Sequence, residues 1–315
     1  MWFKILPLAL VAAMVGCSSD PGKLGGGSGG ENGGGGSGVE VKLDAGKGGS
    51  GGTGDAGTSM NAAGELTMVV RDFRFYNASD GTTNPDFENV PTVTEDGDPC
   101  EPSDPKAGCY GPWRDEEIVT DTLGDDYKPV YKNPSGTPTY PDGTLTTHGK
   151  DFFDQWYRTV DGTNIMQEIP FVLTKNKEGL YAYDSRHAGP PLSPGGKFFP
   201  IDDGSEHQTA FGNEGESHNY SFTVEIHTLF TYNPGDTFSF SGDDDVFVYI
   251  NNKRVINLGG IHGREEETVY VDELGLIPGE TYPLDFFYAE RHVVDSNLWI
   301  TTTLDLSTNT DIPIF

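Results

Sequence analysis

The chain has 315 residues, with 20 basic and 49 acidic side chains for a net charge of −29, and it carries 43 Gly and 21 Pro. That charge repels polyanions, so nucleic acid is not an expected partner. No apolar run reaches the ~20 residues of a membrane-spanning helix, whereas an acidic surface favours cations, calcium above all.

In chain order, Met1–Lys4 is a short basic start and Ile5–Gly16 an uncharged, mostly apolar stretch of signal-peptide length, 1–16 in all. Its ending, Met14-Val15-Gly16-Cys17 followed by Ser18, resembles a bacterial lipoprotein lipobox. The resemblance implies cleavage, acylation of Cys17, and placement as an outer-membrane lipoprotein on the cell surface or the periplasmic face. Each buried acyl CH₂ contributes about 0.8 kcal/mol, so two or three chains anchor firmly. The membrane is then a partner only through the lipid.

Residues 17–62 read as a Gly-rich tether. Between Gly22 and Thr58 there are 18 glycines in 37 residues, too little apolar surface to offset ordering entropy. The globular part is expected over 63–310. Cys100 and Cys109 lie close together in a Pro/Gly/Asp-rich stretch. In an oxidising compartment they are expected to form a disulfide, which the chain-entropy account values at about 2.5–3 kcal/mol for so short a loop.

Strands dominate the rest. Segments 66–76, 169–174 and 180–183 read as strands joined by long loops. A short helix is expected over 149–158, with Phe152, Phe153 and Trp156 on its core face. Tyr220, Phe222, Val224, Ile226 and Thr228 alternate onto one face, as do Tyr282, Leu284, Phe286 and Tyr288. In the last segment Leu298, Ile300, Thr302, Leu304 and Leu306 share one face, with Trp299, Thr301 and Thr303 on the other. Val246–Ile250 is apolar on both faces, the mark of a strand covered on both sides. Asn251-Asn252 reads as a tight hairpin turn. Short strands between Gly, Pro and Asn turns predict an all-β antiparallel sandwich with long loops and one or two short helices.

The sharpest local feature is Gly242-Asp243-Asp244-Asp245, three successive carboxylates between buried strands. Like charges ~4 Å apart repel by about 1 kcal/mol in water and about 4 kcal/mol at an effective dielectric of 20, a cost that a hard divalent cation removes. The stretch GDDDVFVYINN (242–252), Val255-Ile256-Asn257-Leu258-Gly259-Gly260-Ile261-His262-Gly263, and Leu284–His292 resemble the fibro-slime module of bacterial surface proteins, a relative of the PA14 β-sandwich. The sequence departs from that pattern at Asn252 and Asn257, where Gly and Asp are usual, and at Tyr249, where Phe is usual. In carbohydrate-binding PA14 relatives, two consecutive Asp joined by a cis peptide hold Ca²⁺, which coordinates sugar hydroxyls. The resemblance places that pair at Asp243-Asp244 and a second ligand loop at 290–297, with Glu290, Asp295 and Asn297.

The candidate calcium ligands are therefore Asp243, Asp244, Asp245, Glu290, Asp295 and Asn297. Asp245 is expected to point away from Asp244. His262, His292 and Trp113 are candidates for a ligand surface, while Trp156 and Trp299 are assigned to core packing. Arg291 reads equally as the partner of a carboxylate bracing its loop. No Gly-x-Ser-x-Gly, His-Glu-x-x-His, P-loop or catalytic Cys pattern is found, so no enzymatic activity is expected. A carboxylate pair acting in glycoside hydrolysis stands as a minor alternative. The expected function is calcium-assisted adhesion to glycans or extracellular matrix polymers, and the alternative is a structural matrix component that binds no small ligand.

Overall fold

The computed structural model describes residues 64–77, 83–87, 113–133, 137–138, 145–293 and 295–312. The signal segment, Cys17, the tether, Cys100 and Cys109 lie outside the described residues.

Ten principal strands build two antiparallel sheets. They are β1 (Glu65–Phe73), β2 (Asn164–Val172), β3 (Tyr181–Asp184), β4 (Phe222–Thr231), β5 (Thr237–Gly242), β6 (Asp245–Ile250), β7 (Lys253–Leu258), β8 (Glu265–Tyr270), β9 (Thr281–Glu290) and β10 (Leu298–Thr302). The larger sheet runs β7-β6-β9-β4-β1-β2, with the short strand Ser307–Thr308 also against β4. The smaller runs β8-β5-β10-β3, ending on Thr174–Lys175. The all-β sandwich expected from the period-two pattern is the observed fold.

Alternation decides what each sheet buries. Leu66, Met68 and Val70 of β1, Phe222, Val224 and Ile226 of β4, and Leu284, Phe286 and Tyr288 of β9 meet Phe238, Phe240, Leu298 and Ile300 of the smaller sheet. Fully burying one such side chain contributes about 1.5–3 kcal/mol. The outer face of the larger sheet carries a second apolar layer. Phe73, Phe247, Tyr249, Phe287 and Ala289 are covered there by Phe87, Ile118, Val119, Leu123, Tyr131, Phe153, Trp156 and Tyr157. Phe73 stacks on Phe87 with centroids 4.1 Å apart, and Tyr157 meets Phe287 edge-on at 5.0 Å. This layer explains why β6 is apolar on both faces.

The expected helix over 149–158 is one α-turn, Lys150–Phe153, followed by turns. Phe153 and Trp156 are buried as expected, and Tyr157 is buried with them, whereas Phe152 is half-buried. Tertiary packing of the aromatic residues, rather than helical propensity, holds this segment.

The second layer also covers charges. Arg71 Nη1 donates to Glu225 Oε2 at 2.7 Å, Lys128 donates to Glu225 Oε1, and the His227 ring lies 2.6 Å from Glu225 and 2.7 Å from Asp285. Arg71, Lys128 and Glu225 are all fully buried. Burial works to raise Glu225, yet His227, Arg71 and Lys128 hold it down to about 2. Burial works to lower His227, but its bonds to Asp285 and Glu225 win and hold it above the ordinary histidine range.

Candidate functional site

The acidic turn carries the chain from β5 in the smaller sheet to β6 in the larger. Gly242 is required here: a Cβ would lie 2.5 Å from both Asn297 O and the Phe240 ring. Asp244 takes the left-handed conformation at φ 52, which Asp adopts more readily than bulkier residues. The one cis peptide bond among the described residues joins Pro190 and Pro191. The bond between Asp243 and Asp244 is therefore trans, which corrects the cis geometry that the resemblance implies.

The three carboxylates fan out to different segments. Asp243 accepts from the backbone N–H and the side-chain amide of Asn297, each at 2.5 Å. Asp244 Oδ2 accepts from Arg291 N–H at 2.9 Å. Asp245 accepts from Arg291 Nε at 2.6 Å and from Gly260 N–H at 2.7 Å. All three are buried, Asp245 completely.

Arg291 is the hub of the region. Its Nη1 donates to the carbonyls of Asp86 at 2.9 Å and Thr146 at 2.7 Å, and its guanidinium lies 4.7 Å from the Trp156 ring centroid. One side chain thus joins the acidic turn, the β9–β10 loop and the second layer. The Arg–carboxylate brace expected at this position is present, with Asp245 as its partner.

Glu290 ends β9. Its Oε2 accepts from Tyr288 OH at 2.8 Å, while Oε1 is buried with no hydrogen-bond partner. Burial raises Asp243, and burial with the charge of Asp245 raises Asp244 to about 7 against the pull of Arg291. Burial, then the charges of Asp244 and Asp243, pushes Glu290 well above the ordinary carboxylate range. An acidic cluster with these shifts is energetically poised to accept protons or a cation.

The other expected residues divide. Asn297 is brought to the turn, as described. Asp245 accepts from Arg291 Nε and Gly260 N–H, and its charge is paired with the buried Arg291 guanidinium. Asp295 is exposed and pairs with Lys197 at 2.7 Å. His262 is 2 % exposed and its ring nitrogens face the carbonyls of Gly263 and Leu258. His292 is 4 % exposed, and burial and then Arg291 hold it well below the ordinary range. Both histidines are turned into the fold rather than toward a surface. The Trp113 backbone pairs with Ile261, and its side chain lies outside the described residues. Trp156 is buried as expected. Trp299 is half-buried on the outward face of β10, because the odd positions of that strand alternate away from buried Leu298 and Ile300. Among the described residues no group of three or more His, Cys, Asp or Glu is placed to hold a metal ion.

Sequence reasoning missed a second carboxylate site. Asp72, at the end of β1, is fully buried; Oδ1 accepts from Asn219 Nδ2 at 2.8 Å and Oδ2 has no partner. Burial raises it to about 8, with Glu214 and Asp203 adding to the rise. An Asp inside an apolar strand run was the available signal.

Residues 176–313 match the PA14 domain family, which spans β3 to β10, while β1, β2 and most of the second layer precede the match. The chain is 39% identical to protein psiC of Dictyostelium discoideum over 197 residues, covering 61% of this chain and 36% of psiC. It is also 39% identical to psiD of the same organism over 195 residues, again 61% of this chain and 36% of that protein. The chain thus spans little more than a third of the length of these relatives. A beta-glucosidase from Kluyveromyces marxianus solved with glucose aligns over 29% of this chain and 11% of its own at 14% identity and a TM-score of 0.20. Residues 176–313 of this β-sandwich are thus similar to the PA14 domain, and the chain is similar to the psi proteins.

Proposed function

We propose that the chain is a cell-surface adhesion module that binds glycans or extracellular matrix polymers, with a calcium ion at the acidic turn assisting the contact. The observation that carries this reading is the juxtaposition of Asp243, Asp244 and Asn297. Two neighbouring buried carboxylates, both held above their usual range, stand beside a side-chain amide bonded to one of them at 2.5 Å.

The residues fit a hard cation of modest affinity. A carboxylate has about four acceptor sites, so Asp243 can keep its bonds to Asn297 and still ligate. Glu290 lies within electrostatic reach and carries a buried oxygen without a partner, a deficit of about 1–3 kcal/mol that a cation would relieve. Asp243, Asp244 and Asn297 would hold the ion, with Glu290 acting on it through its charge. Two Asp and an amide, rather than a cage of many carboxylates, suit the about 10⁻⁴–10⁻³ M affinities of extracellular calcium modules. The bound ion would present open positions to sugar hydroxyls, and the chain's own contribution is to fix the turn through Arg291 and Asn297.

The lipobox at Cys17 and the Gly-rich tether support display outside the cytoplasm on a lipid anchor. A glycan array probed with the full chain, in calcium and in EDTA, tests the proposal. Binding that EDTA removes supports it. Absence of glycan or matrix-polymer binding in calcium leaves the structural-component alternative.

A further inference from the structure

We propose that the outward face of the smaller sheet is a second, calcium-independent contact for an uncharged polysaccharide, with Trp299 as its stacking ring. This deepens the glycan-binding reading above and rests on it. Strand register lines up one row across the sheet: Asp184 of β3 opposite Trp299 of β10, Trp299 opposite Ser241 of β5, and Ser241 opposite Glu266 of β8. The next row is Ala182, Thr301, Ser239 and Thr268.

The two sheets differ in how their outer faces are treated. The larger carries a full aromatic layer. The smaller presents Ser and Thr hydroxyls around half-buried Trp299, with Asp184 and Glu266 in the same row and exposed Tyr270 on the same face of β8. Trp299 lines a shallow depression with Asp184, Arg186, Ser241, Arg264 and Asn297.

The rim offers donors and acceptors side by side. Arg186 grips Asp184 through Nε at 2.8 Å and Nη2 at 2.6 Å. Arg264 is exposed and donates through Nε to Ser241 at 2.7 Å. Thr301 Oγ1 is buried without a partner, and the Ser239 and Thr268 hydroxyls meet at 2.8 Å. A sugar hydroxyl both donates and accepts, which matches such a mixed rim, and a ring face suits the apolar side of a pyranose.

Charge selects the class of sugar. Arg186 is balanced by Asp184, Glu266 lies opposite Ser241 in the same row, and the chain as a whole carries −29. A polyanionic glycan meets no net positive field here and is repelled at long range.

The test is calorimetry of the full chain in EDTA with cellohexaose, laminarihexaose and mannohexaose, and with hyaluronan as the anionic control. At least one neutral oligosaccharide is expected to bind, about tenfold or more weaker in Trp299→Ala and weakened in Arg264→Ala, with melting of Arg264→Ala unchanged because that side chain is exposed. Trp299→Phe, which keeps a ring, is expected to retain most of the affinity. Neutral-sugar binding that survives Trp299→Ala but disappears in EDTA or in Asp244→Asn overturns this inference and leaves the calcium-site reading standing. Preference for hyaluronan overturns the uncharged occupant. No saccharide bound with or without calcium removes both.

Discussion

Arg291 and Asp245 form a fully buried ion pair, Nε to Oδ2 at 2.6 Å, whose side chains are 1 % and 0 % exposed. The remaining guanidinium contacts reach Asp86 O and Thr146 O in the second layer, so the pair fastens the turn to segments far away in sequence. Replacing Arg291 by Ala leaves Asp245 charged and buried with only Gly260 N–H. Removing one partner of such a pair costs about 3–5 kcal/mol. Urea unfolding of Arg291→Ala is expected to show that loss. Arg291→Lys is expected to recover little of it, since a point charge cannot serve three acceptors in a planar fork.

Glu225 sits between Arg71, Lys128 and His227. Glu225→Gln removes the one anion that Arg71, Lys128 and His227 share. An effect of about 3–5 kcal/mol is expected in the same unfolding measurement. Loss of the second apolar layer should accompany it, read as exposure of Trp156 in fluorescence.

Two carboxylates give stability an unusual pH slope. Asp72 is raised from 3.8 to about 8 and Asp244 from 3.8 to about 7. In each case the folded state binds a proton that the unfolded state has released, so stability falls as pH rises from about 4 toward 7–8 and then levels. Glu225 works oppositely: depressed from 4.5 to about 2, it adds stability above its unfolded value that is lost as pH falls toward 2. Stability is therefore expected to peak in mildly acid solution. Asp72→Asn should flatten the alkaline limb, as judged by melting temperature between pH 5 and pH 8; an unchanged slope would contradict the assignment.

Asn252 makes a long-range contact that glycine cannot. It occupies φ 58 in the hairpin turn, and its Oδ1 accepts from Leu123 N–H at 2.8 Å. Asn257 likewise donates through Nδ2 to Glu116 O at 3.1 Å. Both positions depart from the fibro-slime pattern, and both side chains hold the second layer. Asn252→Gly relieves the backbone but leaves Leu123 N–H without its acceptor. A net loss of about 1 kcal/mol in chemical denaturation is expected, and a gain in stability would refute it.

The strands were legible where one face alone is buried. Leu284, Phe286 and Tyr288 of β9, and Phe222, Val224 and Ile226 of β4, alternate plainly and were assigned from period two. The doubly covered β6 was also legible, because Val246–Ile250 has no polar face. The second layer was not, since Phe87, Ile118, Leu123 and Tyr131 lie in segments with no period and gain their burial from residues distant in sequence, as Phe87 does from Phe73 and Trp156. Trp299 misled for a related reason: a large apolar residue suggests a core, yet its parity in β10 points outward. At the site, the carboxylates of 243–245 were visible as a run. Their separate partners were not, because Arg291, Asn297 and Gly260 reach them across strands.

Calcium at the acidic turn is put to the test by thermal melting of the full chain in 1 mM CaCl₂ against EDTA. A dissociation constant near 10⁻⁴ M corresponds to about 1.4 kcal/mol of added stability, or about 3–6 °C. A rise of that size is expected in calcium, reversed by EDTA and absent in Asp244→Asn. Superimposable melts of the unmodified chain in the two solutions would contradict it.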